Sequence, residues 1–162
     1  MLDDGLGCAV YDELQSYTFP ENVDLSDVGC MSMDLLPAVQ KYDLILTVDA
    51  LEETGQPAGT IFTFTPDDMA GREFGTWSLH DLKLSDLFES AALLGYEARG
   101  LCFGMQIENA SPSELTIGLT PAVKDKLADL VDCVLAALVK EGVAVELRDT
   151  GQRIEPGYHH IL

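Results

Sequence analysis

An α/β fold in three layers, with a mainly parallel twisted sheet and helices on both of its faces, is the architecture this sequence predicts. Three observations carry it. Short apolar runs suited to strands alternate along the chain with stretches of helical spacing. The run Leu44-Ile45-Leu46-Thr47-Val48 is apolar without alternation, as strands buried on both faces of a parallel sheet are. The stretch from Thr120-Pro121 to Gly142 keeps strict helical periodicity between a clear start and a clear stop.

The elements follow in order. Residues 5–16 read as a helix with Leu6, Val10 and Leu14 on one face, capped by Asp3 or Asp4. Residues 23–28 read as a short strand, and 33–42 as a short helix with Leu35, Leu36 and Val39 inward. The buried strand at 44–48 is followed by a turn at Gly55-Gln56-Pro57-Ala58-Gly59, then by a strand at 60–65. Ser78 and Asp81 form a capping box for a helix over 79–94, which Gly95 ends. A strand is expected at 100–107. Thr120 caps and Pro121 opens the last helix, whose face is Val123, Leu127, Leu130, Val131, Val134, Leu135 and Leu138. Residues 143–147 suit a final strand. The organisation expected is one domain over 1–148 and a flexible tail over 149–162, with His159 and His160 on its surface.

At 162 residues and 47% apolar content the chain can bury a full core. The net charge of -19, from 28 acidic and 9 basic residues, repels phosphate backbones, so nucleic acid is not an expected partner. No apolar stretch approaches the ~20 residues of a membrane span, and the first residues carry neither the basic region nor the apolar core of a signal peptide. A cytoplasmic monomer is the expectation, without membrane insertion. Cys8, Cys30, Cys102 and Cys133 form no Cys-x-x-Cys pair, which argues against a structural zinc site. Cys8, Cys102 and Cys133 lie among apolar neighbours, whereas Cys30 follows a glycine in a predicted loop.

The candidate site is Asp4, Asp49 and His80. Asp49 ends a buried strand, and Asp4 and His80 start helices. In open α/β sheets these positions share one rim, where ligands bind. A carboxylate at the end of a buried strand is expensive unless paired or liganded. The positive end of a helix keeps an imidazole neutral, as metal ligation requires. Asp3-Asp4 is one acid more than a helix cap needs. Two carboxylates and an imidazole make a three-ligand metal site with open positions. The chain has no Gly-x-Ser-x-Gly, no His-Glu-x-x-His and no phosphate-binding glycine loop. Metal-assisted hydrolysis is therefore the hydrolytic route that fits, and no tightly bound organic cofactor is expected.

With these residues in view, the chain resembles the hydrogenase maturation endopeptidases. Asp3-Asp4-Gly5-Leu6-Gly7 is similar to the family's Asp-[Asp/Glu]-Gly-x-Gly turn, Val48-Asp49-Ala50 to its strand end, and Ser78-Leu79-His80-Asp81 to its Ser-x-His segment. Gly104-Met105-Gln106 and Gly118-Leu119-Thr120-Pro121-Ala122-Val123 match the late strand and the opening of the last helix. The resemblance implies an endopeptidase that removes a C-terminal extension from a nickel-iron hydrogenase large-subunit precursor after nickel insertion. It implies that Asp4, Asp49 and His80 are both the catalytic set and the ligands to nickel, which the substrate supplies. It places Asp27, Cys30 and Gln106 at the substrate. Either rim carboxylate, Asp4 or Asp49, could take the proton of the attacking water.

Two departures stand out. A first strand expected before the Asp-Asp turn is missing, so Met1 stands about a dozen residues late by usual strand and turn lengths. A misassigned start is the expectation. The segment Asp27-Val28-Gly29-Cys30-Met31 stands where the family has Asp-Gly-Gly-Thr-x-Gly, retaining the acid but not the first glycine. Two other readings are carried: a maturation factor that holds nickel or precursor without cutting, and a receiver domain phosphorylated on Asp49. The receiver reading lacks a Met-Pro after Asp49 and a lysine at a late strand end, because Lys41, Lys83, Lys124, Lys126 and Lys140 fall on predicted helices or their ends.

Overall fold

The computed structural model describes residues 3–29, 35–70, 79–108 and 118–155, with the backbone alone at 36, 69–70 and 79–85. The chain opens with a 3-10 turn, Asp3–Gly5, that runs into α1 (Leu6–Leu14), followed by β1 (Tyr17–Thr18). Then come α2 (Leu36–Lys41), β2 (Leu44–Leu51), β3 (Ile61–Phe64), α3 (Pro66–Ala70), α4 (Leu79–Leu93) and β4 (Arg99–Gln106). The chain continues through α5 (Pro121–Lys124) and α6 (Leu127–Lys140) to β5 (Glu146–Leu147).

Among the described residues the main sheet has three strands in the order β2-β4-β3. β2 and β4 run parallel from Leu44↔Arg99 to Leu51↔Gln106, and β3 pairs antiparallel with β4 from Ile61↔Met105 to Phe64↔Cys102. The sheet is thus mixed, with one ladder of each kind. Along its other edge β2 has no strand partner among the described residues.

Period-2 alternation sorts the sheet residues between two cores. Phe103, Met105 and Ile107, with Leu46, Val48 and Ala50, pack against Leu6, Val10 and Leu14 of α1 and the apolar face of α6. Ile45 and Cys102 face the other way, against Val39 of α2 and Leu87 and Ala91 of α4. Helices therefore cover both faces, the three-layer arrangement that the alternation of elements predicts.

Several local expectations change. Residues 23–28 form no strand. The second small sheet pairs β1 antiparallel with β5 instead. Strand formation depends on a partner edge, and the weak alternation of Val23 and Leu25 finds none there, although Leu25 still packs on the larger core. The last helix is split into α5 and α6 by a turn at Asp125 and Lys126. The 149–155 part of the expected tail folds back: Leu147 N–H bonds Gln152 O at 2.8 Å, Ile154 N–H bonds Val145 O at 2.8 Å, and Ile154 is buried. One large apolar side chain in a polar segment is enough to pin it to the core. Residues 156–162, with His159 and His160, lie outside the described residues.

Candidate functional site

The parallel strands β2 and β4 end together at Leu51 and Gln106, and their ends define the rim. Asp49 lies two residues before the end of β2, paired in register with Gly104. It is half-buried, and its Oδ1 accepts a hydrogen bond from the Ala50 N–H at 2.8 Å. Alternation puts Asp49 on the same sheet face as Ile45, the face that α4 covers.

The Asp3–Gly5 turn is brought to this rim by Asp3, which is 0% exposed. Its Oδ2 accepts from the Glu108 N–H at 3.1 Å and from Thr120 Oγ1–H at 2.9 Å, and its Oδ1 accepts from the Thr120 N–H at 2.7 Å. Glu108 lies just past the end of β4, and Thr120 precedes α5. One carboxylate thus joins the first turn of the chain to two distant segments. This corrects two expectations. Neither Asp3 nor Asp4 caps α1, whose N-cap is Gly5 without a side-chain bond. Thr120 has no side-chain cap bond on α5, because its hydroxyl serves Asp3. Asp4, next in sequence, is exposed. A Cβ on Gly7 would lie 3.5 Å from the Val48 carbonyl oxygen, so the first turn of α1 backs onto the residue before Asp49.

His80 falls in the first turn of α4, and its side chain lies outside the described residues. The helix still fixes its height. Leu87 and Ala91 pack with Ile45 and Cys102 near the strand starts, and the chain then leads directly into β4, so α4 runs back against the strands. Position 80 is two turns before Leu87, about 10 Å further along the helix axis. Asp49 is four residues past Ile45, about 13 Å further along the strand. Both reach comparable height toward the rim. Among the described residues no three His, Cys, Asp or Glu side chains gather as a metal group. The structure brings the Asp4 turn and Asp49 to one rim, and α4 carries position 80 toward it. Ser78 of the expected capping box lies outside the described residues.

The three expected substrate positions separate. Asp27 is exposed: its Oδ1 accepts from the Gly29 N–H at 3.0 Å, and its Oδ2 accepts from Cys8 Sγ–H at 3.4 Å. Burial first, then the Asp27 hydrogen bond and charge, push the Cys8 thiol above its ordinary range. Cys30 lies outside the described residues. Gln106, at the end of β4, is buried, and its amide is bonded within the chain. Its Oε1 accepts from the Thr54 N–H at 2.9 Å and from the Thr54 hydroxyl, and its Nε2 donates to Ile107 O at 2.7 Å. Gln106 thereby ties down the loop that follows Asp49, where Glu53 has a φ of 53°. A non-glycine residue in that region is held there by its surroundings.

The sequence reading missed Asp3, Thr120 and Thr54. The doubled acid before α1 was the available signal for Asp3. A groove of about 880 Å³ lies elsewhere, at the opposite end of the sheet, lined among others by Phe88, Tyr96, Arg99, Cys133 and Glu141. Among the described residues no helix is long and apolar enough to cross a membrane.

Comparison with known proteins adds to this geometry. A family model described as hydrogenase maturation protease, HycI, matches residues 8–137. The hydrogenase 2 maturation protease of Escherichia coli is 28% identical over 145 residues, covering 88% of this chain and 87% of that protein. The hydrogenase expression/formation protein HoxM of Azotobacter vinelandii is 30% identical over 159 residues, covering 95% and 75%. The solved structure of the E. coli hydrogenase maturating endopeptidase HybD superposes with a TM-score of 0.78 at 26% identity, covering 92% of this chain and 91% of that one.

Proposed function

Because this chain belongs to the hydrogenase maturation protease family and is a peptidase, we propose that it removes the C-terminal extension of a nickel-iron hydrogenase large-subunit precursor after nickel insertion. Family membership leaves no place for the receiver reading. The observation that supports the proposal is the packing of the first turn of α1, just after the exposed Asp4, against Val48, the residue before Asp49. With the imidazole of His80, these are the donors expected to recognise nickel in the precursor. Oxygen and imidazole donors suit a divalent ion of this kind. Bound in the substrate, nickel supplies Lewis acidity toward the scissile carbonyl. The chain's own residues supply orientation and proton transfer. Asp49 is held by its strand and by the Ala50 N–H, which donates to its Oδ1. The two rim carboxylates, Asp4 and Asp49, are the proton acceptors proposed for the attacking water. The loop tied by Gln106 borders the same strand end and shapes what can approach it. In this reading the chain acts in the cytoplasm as a monomer.

The test is intact-mass spectrometry of a nickel-loaded precursor incubated with this chain and with His80→Ala. Loss of a C-terminal peptide with the unsubstituted chain, and none with a folded His80→Ala, is the expected result. Normal processing by the folded variant refutes the three-ligand assignment. Nickel-dependent binding with no mass change refutes cleavage of this precursor.

A further inference from the structure

We propose that Asp3 is a positioning residue for the proteolytic site, an inference that rests on the assignment of Asp4 as a nickel-recognising carboxylate. Adjacent side chains on one 3-10 turn diverge: Asp3 is 0% exposed, whereas Asp4 is exposed. A three-residue 3-10 turn has little stability of its own. Its place is set by what grips it, and the Asp3 carboxylate takes hydrogen bonds from Glu108 and Thr120, which lie 105 and 117 residues away. On the other side a Cβ on Gly7 would lie 3.5 Å from Val48 O, so the Asp4 turn is held between β2 and the end of β4. The clamp uses none of the usual helix-capping interactions, since α1 has no side-chain cap bond. Releasing it moves Asp4 relative to Asp49, and displacements of about 1 Å at a reacting centre can cost 10²-fold in rate.

The experiment compares Asp3→Asn, Thr120→Val, Val131→Ala and Asp4→Asn in cleavage of the nickel-loaded precursor. All are assayed well below their melting midpoints, with circular dichroism confirming the fold. Val131 is buried in α6, takes no part in the Asp3 hydrogen bonds, and serves as the stability-matched control. Asp3→Asn is expected to lower kcat/KM about 10-fold or more and Thr120→Val about 3-fold, while Val131→Ala stays within about 2-fold. Asp3→Asn within about 2-fold of the unsubstituted chain, with Asp4→Asn inactive, overturns the positioning role and leaves the Asp4 assignment standing. Full activity of Asp4→Asn overturns that assignment, and the positioning role with it. If Asp3→Asn does not fold, Thr120→Val decides: the expected loss supports the role and unchanged activity refutes it.

Discussion

Substituting Asn for Asp3 preserves shape and changes only what the side chain offers its neighbours. The carboxylate accepts from the backbone N–H groups of Glu108 and Thr120 and from the Thr120 hydroxyl. An amide has one accepting atom and must turn its NH₂ toward one of those donors. With its oxygen at the Oδ1 position, the NH₂ meets the Glu108 N–H. With the oxygen at Oδ2, it meets the Thr120 N–H. Only the Thr120 hydroxyl can rotate to accommodate either state, so one backbone donor loses its acceptor at a side chain that is 0% exposed. A buried donor left unsatisfied costs about 1–3 kcal/mol, and the remaining bonds lose their charge assistance. Asp3→Asn is therefore expected to lower stability by about 2–3 kcal/mol in urea, with an unchanged m-value. Thermal melting should shift down by about 4–12 °C for a domain of this size. A double-mutant cycle with Thr120→Val should show coupling of about 0.5 kcal/mol or more, since Asp3→Asn strips the charge assistance from the hydroxyl bond that Thr120→Val removes. A loss within about 0.5 kcal/mol for Asp3→Asn, the range of ordinary surface changes, would refute the argument that this carboxylate staples the turn.

Three other outcomes follow from the same geometry. A Cβ at Gly104 would lie 2.4 Å from Leu51 Cδ1 and 2.6 Å from its Cγ; Gly104→Ala should cost about 1–3 kcal/mol by overpacking and slow cleavage by disturbing the strand end at Asp49, and unchanged melting would contradict this. Gln106→Ala removes the acceptor for both Thr54 donors, so amide exchange across residues 52–56 should accelerate; equal protection in both proteins argues against a tied loop. After burial, the Asp27 hydrogen bond and then its charge raise the Cys8 thiol, and Asp27→Asn removes the charge; alkylation of Cys8 at pH 8, followed by peptide mass spectrometry, should speed up, because more thiolate is present, and a slower rate would reverse the assignment.

Local pattern was enough for the elements whose signal is contained within themselves. The uninterrupted apolar run of β2, the stop at Gly95 and the periodic face of α6 all placed elements where they are found. Strand-end chemistry made Asp4, Asp49 and His80 the site proposed here, because a carboxylate ending a buried strand conflicts with burial wherever the strand goes; the cleavage assay tests it. What tertiary structure decided were the features with distant partners. Residues 23–28 lack the paired edge that would make them a strand, and Ile154 turns a polar tail into a hairpin by reaching the core. Thr120 reads as a helix cap until Asp3 arrives from 117 residues away to take its hydroxyl. That the Gln106 amide bonds Thr54, 52 residues away, is likewise a pairing that only the fold shows. The reason is common to all of them. Periodicity and capping are local energies that a window of sequence contains, whereas the partner of a buried polar group is chosen by the fold, which must satisfy each such group somewhere.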